Sequence, residues 1–274
     1  MSEILALSPK EVGESLSGIA EKKCSSTIQE QFFLAVLAGI YIGFGAVVAT
    51  TVLSGGTLDP GLAKFLGGSV FSVGLMLVLI PGSELFTGNV LMTVGFITQR
   101  VHPMRIARNW IVVWIGNFAG SILLAWLLMH SNHLVANGAP TALGNKAIAI
   151  ANAKLALAAP FWPAFIRGIL CNMLVCLAVI MAVSARTVTG KILGIFFPIM
   201  TFVACGFEHS IANMYFLPAG LMAAGKLGAQ FGPMLMALLI VTLGNIVGGL
   251  TLVILHPKNQ QKIGRLFKKA SGAA

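Results

Sequence analysis

The sequence predicts an all-α integral membrane protein of six transmembrane helices, laid out as two inverted three-helix repeats in which helices 2 and 5 are broken. Three observations predict it. Charged residues are 9% and hydrophobic residues 57% of 274 positions, and the mean hydropathy is +0.91, far from the roughly 25% charge of soluble domains. One pattern, G-x-E-x4-N, occurs at Gly82, Glu84 and Asn89 and again at Gly206, Glu208 and Asn213, 124 residues later. A second shared string follows each copy, Gly116-Asn117 with Gly120 and Gly244-Asn245 with Gly248, so the duplication covers most of the chain. The third observation is the lopsided distribution of lysine and arginine between the apolar runs.

The chain divides into an N-terminal segment, 1–30, a membrane domain, 31–255, with repeats over about 31–130 and 160–255, and a basic tail, 256–274. At the start, Ser8-Pro9-x-Glu11 has the form of a helix N-terminus with Pro in the first turn and a capping-box glutamate. Val12, Leu16, Ile19 and Ala20 then make an apolar stripe, so an amphipathic helix lying on the cytoplasmic face is expected. Met1 to Lys23 carries charges throughout, and no cleaved signal peptide is expected. Apolar runs able to cross a ~30 Å hydrocarbon core are read at roughly 31–53, 62–81, 106–129, 164–184, 189–205 and 230–255. Two shorter pieces, about 90–98 and 213–224, follow the G-x-E-x4-N segments and are read as second halves of broken helices. A helix interrupted at membrane depth leaves amides and carbonyls unpaired, which is tolerated only where protein or a water-filled cavity satisfies them. Breaks at matching places in two halves therefore point at a transport path.

Three crossings per half require the halves to be inverted. With both termini inside, Lys10, Lys22, Lys23, Arg100, Arg105, Arg108, Arg186, Lys191, Lys258, Lys262, Arg265, Lys268 and Lys269 fall on one side. Lys64, Lys146, Lys154 and Lys226 fall on the other, a split of 13 against 4 with Arg167 set aside. That excess on one side is the positive-inside signature of cytoplasmic termini. The net charge of +10 is thus a topology signal, and its scatter between spans argues against a nucleic-acid partner. The tail's Lys262, Arg265, Lys268 and Lys269 with Ile263, Leu266 and Phe267 read either as an interfacial segment drawn to anionic lipid or as a disordered positive-inside tail. Cys24, Cys171, Cys176 and Cys205 have no metal-ligand spacing, so neither a metal nor a disulfide framework is implied.

Ionisable residues inside the apolar runs carry the chemistry. His209, in the second break, is the one histidine read at membrane depth. His102 and His256 lie at the cytoplasmic edge, and His130 and His133 close the third span at the outer interface. A neutral imidazole can donate a hydrogen bond to an anion or give it a proton. A carboxylate beside an anion path would repel the substrate, so Glu84 and Glu208 are read as braces accepting hydrogen bonds from amides freed by the breaks. Asn89, Asn213, Asn117 and Asn245 suit the same work, because an amide pairs with both donors and acceptors. Thr87 and Asn172 are placed where they reach the pore.

The strings Gly82-Ser83-Glu84-Leu85-Phe86-Thr87-Gly88-Asn89, Arg167-Gly168-Ile169-Leu170-Cys171-Asn172-Met173-Leu174-Val175-Cys176-Leu177-Ala178 and Gly206-Phe207-Glu208-His209-Ser210-Ile211-Ala212-Asn213-Met214 resemble those of the formate/nitrite transporter family. The resemblance implies an aquaporin-like protomer, a homopentamer with one pore per protomer, and passage of small monovalent anions or their acids across a bacterial or archaeal plasma membrane. It puts His209 and Thr87 at the pore centre with Asn172 nearby, Phe71, Leu75 and Phe202 at an outer apolar constriction, and Leu85 and Val175 at an inner one. Lys154 resembles the outer-vestibule lysine that attracts the anion, with Lys146 the other candidate. No cofactor is implied. A reordering of residues 9–28 against the inner mouth at acidic pH is expected from the same resemblance and the apolar stripe.

For substrate, Asn213-Met214-Tyr215-Phe216-Leu217-Pro218-Ala219-Gly220 resembles the ending of formate channels more than that of nitrite channels. Formate is the expected substrate, with nitrite, hydrosulfide and lactate as alternatives of similar size and charge and with proton coupling through His209. An aquaporin-like neutral-solute channel would share the inverted repeat, but no Asn-Pro-Ala occurs. An integral membrane enzyme would need more polar groups at depth and a nucleophile with its base, and none is visible.

Overall fold

The computed structural model describes residues 6–256, 259–260 and 263–264. Helix α1 (Pro9–Ser25) starts at the expected capping box, in which Ser8 and Glu11 each bond the other's backbone amide. It buries Val12, Leu16, Ala20 and Cys24, while Ile19 of the expected stripe is 37% exposed. After Thr27, which caps the next helix, α2 (Ile28–Ser54) is long and apolar enough to span a membrane.

The run expected at 62–81 is two helices, α3 (Pro60–Phe71) and α4 (Val73–Leu79), meeting at Ser72. The Ser72 hydroxyl bonds Gly68 O at 3.1 Å and Phe196 O at 3.2 Å, the kind of backbone competition that bends a helix. Beyond the first break the chain resumes as α5 (Phe86–Asn89), a 3-10 turn over Val90–Met92 and α6 (Thr93–Ile97). The third span is α7 (Pro103–His130).

No element was expected between the repeats, yet two are present. A hairpin pairs β1 (Val135–Ala136) with β2 (Ala139–Pro140) across Asn137-Gly138. Both turn residues have positive φ, 52° and 78°, as a two-residue hairpin turn requires. Helix α8 (Ala142–Ala158) follows, capped by Thr141. It stands to the second repeat as α1 stands to the first, a short helix preceding the first span.

The second repeat runs through α9 (Phe161–Ser184), α10 (Val188–Ala204), the second break, α11 (Ser210–Ala223) and α12 (Phe231–Leu255). Among the described residues, five segments are long and apolar enough to cross a membrane: α2, the α3–α4 pair, α7, α9 and α12. The expected span at 189–205 is α10, only 17 residues long, which ends at the second break.

The two repeats pack alike. α2 lies along α7 as α9 lies along α12. Gly116 and Gly120 bring α7 against the carbonyls of Phe32 and Val36, and Gly244 and Gly248 bring α12 against those of Phe165 and Ile169. A methyl group at any of these four sites would overlap backbone or a neighbouring side chain, so glycine is what permits such close helix approach.

The α1 end of the molecule also gathers the end of α12. Leu16 and Val12 pack with Val253 and with Ile263, the one residue of the apolar tail set that the structure describes. The interfacial reading of Lys262, Arg265, Leu266, Phe267, Lys268 and Lys269 lies outside the described residues.

Candidate functional site

Each break is built the same way. Gly82 and Gly206 take φ of +90° and +70°, values that any side chain would strain, and turn the chain out of its helix. Two residues on, an amide ties each loop to the first span of its repeat, Glu84 N to Leu34 O of α2 at 3.3 Å and Glu208 N to Arg167 O of α9 at 3.2 Å. Asn117 accepts the freed amide of Phe86 at 3.0 Å and donates to Ala35 O and Glu84 O. Asn245 repeats the set, accepting from Ser210 N at 2.8 Å and donating to Gly168 O and Glu208 O. The freed amides of Phe86 and Ser210 therefore go to Asn117 and Asn245, two of the asparagines read for this work, and not to the glutamates.

The two glutamates take side-chain partners instead. Lys23 of α1 stands 3.0 Å from Glu84 and 2.8 Å from Asn89 Oδ1, while Asn89 and Asn109 donate to the same carboxylate. Lys154 of α8 donates to both oxygens of Glu208, at 3.1 and 2.8 Å, and Asn213 donates at 2.7 Å. Both carboxylate side chains are 8% exposed, where an unpaired charge is untenable and a paired, hydrogen-bonded one is held. Lys154 also lies 5.3 Å over the Phe216 ring. Lys154, expected in the outer vestibule, is thus paired with a carboxylate, and Lys146, two turns earlier on α8, makes no ion pair among the described residues.

Between the braces the two broken helices meet. Thr87 Oγ1 and His209 Nε2 are 2.9 Å apart and buried. His209 caps α11, its Nδ1 lying 3.0 Å from Ala212 N. A backbone amide only donates, so Nδ1 accepts and the ring proton sits on Nε2, aimed at Thr87. The Thr87 hydroxyl hydrogen is then free for a further acceptor. Asn172 donates to Thr87 O at 3.2 Å and to Asn245 O at 2.6 Å, leaving its Oδ1 without a partner among the described residues. The N-terminal ends of both half-helices, Phe86–Ile97 and α11, lie at this pair, and helix N-termini favour negative charge.

Apolar side chains adjoin the pair. Phe202 stacks on the His209 ring at 5.7 Å and meets Phe71 edge to face at 5.7 Å. Phe71, Leu75, Leu85, Val175 and Phe202 are all buried. On the α1 side Leu85 opens to a cavity of about 420 Å³. Leu16, Ile19 and Lys23 of α1 close it from below, with Asn89, Val179 and Lys191 among its walls. Sequence reasoning missed Lys23, Asn109 and Lys191 as site residues. Lys23 and Lys154 lie 131 residues apart, near the 124 that separates Glu84 from Glu208 and the 128 that separates Asn117 from Asn245, and this was the available signal.

Fold and site together define a membrane channel or transporter for a small solute, made of two similar halves whose broken helices meet on one buried polar pair. A family model described as Formate/nitrite transporter matches residues 10–257, and the chain belongs to that family. It is 42% identical over 255 residues to a probable formate transporter of Methanothermobacter thermautotrophicus, covering 88% of this chain and 92% of that protein. It is 36% identical over 263 residues to the formate channel FocA of Haemophilus influenzae, covering 89% and 91%. A solved structure described as a pentameric formate channel with formate bound is 39% identical and superposes with a TM-score of 0.70, covering 82% of this chain and 94% of its own. The family is one of channels and transporters, not of enzymes.

Proposed function

We propose that this chain passes small monovalent anions, formate foremost, as a homopentamer with one path per protomer and both termini in the cytoplasm. The observation that carries the reading is the buried Thr87–His209 hydrogen bond at 2.9 Å between apolar side chains, with formate named by the relatives above. Apolar side chains admit little hydrated ion, because shedding water from a charge is costly. At the centre, the Thr87 hydroxyl and the His209 Nε2–H are donors that replace the lost water on an anion of formate's size. The two lysine–glutamate pairs leave the mouths without a net negative charge that would repel it.

The His209 geometry also sets how a proton enters. A second ring proton must sit on Nδ1, where it would face the Ala212 amide, so protonating His209 breaks the cap of α11. Loss of such a cap costs about 1 kcal/mol. Protonation is therefore coupled to loosening of the first turn of α11, and the anion crosses as itself or leaves as formic acid depending on pH.

The experiment is flux in liposomes for formate, nitrite, hydrosulfide and chloride across a pH series, with wild type and His209→Phe. Formate is expected to move fastest, faster still at lower pH. The phenylalanine variant is expected to be roughly ten-fold slower, the loss of one good hydrogen bond at about 1.4 kcal/mol, and flat with pH. Unchanged pH dependence in the variant removes His209 from proton handling. Nitrite or hydrosulfide moving faster than formate overturns the choice of substrate.

A further inference from the structure

We propose that Lys191 is the anion-collecting group of the mouth that α1 covers, an inference that rests on the anion-channel reading above. Lys191 lines the cavity of about 420 Å³ that also takes in Gly82, Ser83 and Leu85 of the first break. The cavity holds a second lysine, Lys23, but that charge is offset by Glu84 at 3.0 Å. The ion pairs among the described residues are Lys23–Glu84 and Lys154–Glu208. Lys191 belongs to neither, and it lines the cavity with no carboxylate paired to it among the described residues.

Its position is fixed by the path itself. Lys191 sits in the first turn of α10, its amide bonded to Thr187 O at 3.0 Å, with Thr187 capping the helix at Gly190 N. The same helix carries Phe202 further on, about 16 Å along the axis at ~1.5 Å per residue. At that separation, roughly two Debye lengths in physiological salt, Lys191 acts on the mouth and not on the pore centre. The surrounding walls are largely apolar, Leu16, Ile19, Leu79, Leu85 and Val179, and low-dielectric walls focus a fixed charge into the opening between them.

The duplication did not produce this lysine. The offset of 124 residues that relates Glu84 to Glu208 relates Lys191 to Gly67, which has no side chain to offer. Each mouth thus inherits a lysine–glutamate pair, and on the α1 side Lys191 adds a further lysine to the wall of the cavity. The inference predicts that loss of the Lys191 charge weakens formate gathering from the α1 side alone.

The test is formate flux measured separately from each side of oriented planar bilayers, with wild type, Lys191→Gln, Lys191→Glu and Lys191→Arg, at low and high concentrations of a salt with bulky impermeant ions. From the α1 side, Lys191→Gln is expected to raise the half-saturating formate concentration roughly three-fold and Lys191→Glu roughly ten-fold at low salt. The maximal rate stays unchanged, the shifts shrink at ~1 M salt, and Lys191→Arg behaves as wild type. Flux from the other side stays as in wild type, which also reports that the variants fold. An unchanged half-saturation in Lys191→Glu, a shift equal from both sides, insensitivity to salt, or failure of arginine to restore it each overturns the proposal. If wild type conducts no small anion at all, the channel reading falls with it. If wild type conducts and Lys191→Glu matches it, the role of Lys191 alone falls.

Discussion

Glu84 and Glu208 show how a carboxylate survives deep in an apolar protein. Each is held by a lysine from outside its own helix and by the asparagine five residues on. Removing one member of a buried pair strands the other, typically at 3–5 kcal/mol, whereas removing both is far milder. Lys154→Met is therefore expected to destabilise the detergent-solubilised protein by about that amount, and Lys154→Met with Glu208→Gln by roughly half as much or less. Thermal unfolding of the single and double variants decides it, since equal losses would mean the pair is no brace. These glutamates were legible in the sequence because acids inside apolar runs stand out. Lys23 was not, because it lies in a charged stretch where a lysine reads as topology, and only the folded chain brings it to Glu84.

Helix α1 is the element whose behaviour is most readily measured. Its C-terminal carbonyls are held by Arg108, bonding Cys24 O and Ser26 O, and by Gln31, bonding Lys23 O and Ser26 O. Cys24 itself is buried with Met92, Val101 and Ile106, and burial pushes its thiol above the ordinary value of 9.0. In a Cys205→Ser background, Cys24 is expected to resist maleimide while α1 is docked and to react when α1 leaves, so its labelling rate reads the helix directly. Rapid labelling under native conditions would show that α1 does not stay docked.

The other end of α1 carries a pH dependence. Glu11 is held below its ordinary pKa of 4.5 chiefly by the Ser8 hydroxyl, then by the Ser8 amide. A depressed carboxyl stabilises the fold above its unfolded value and loses that contribution as pH falls through the folded one. Amide exchange in the first turn of α1, corrected for intrinsic rates, is expected to speed up as pH drops below about 4.5. Glu11→Gln is expected to abolish that dependence, and an unaltered profile in the variant would rule out the cap. The start of this helix was readable from Ser8-Pro9-x-Glu11. Helix α8 was not, because it is too short to span, mixes alanine with Asn145, Lys146, Asn152 and Lys154, and has no stripe. Its alanine content was the one signal that favoured helix over loop.

Over the whole molecule, the duplication predicts paired responses. Gly120 lies against Val36 O and Gly248 against Ile169 O, at equivalent crossings. Gly120→Ala and Gly248→Ala are each expected to force apart a helix pair and lower stability by about 1–3 kcal/mol, the usual range for overpacking. Chemical unfolding in mixed micelles checks this, and a large cost at one site with none at the other would break the equivalence. The duplicated architecture and the shortness of α10 could be read from the sequence, whereas the kink at Ser72 depends on a contact between the halves.

One such contact looks back in time. Ser72 bonds the carbonyl of Phe196, and these positions are 124 residues apart, the same interval that separates Glu84 from Glu208. Equivalent points of two related units touch only on the axis that relates them, as in any isologous pairing. An ancestor assembled from two identical, oppositely inserted half-length chains would have brought one residue face to face with its own copy here. Fusion into a single gene product freed the two copies to differ, so that one could become a hydroxyl and the other a phenylalanine offering only its backbone.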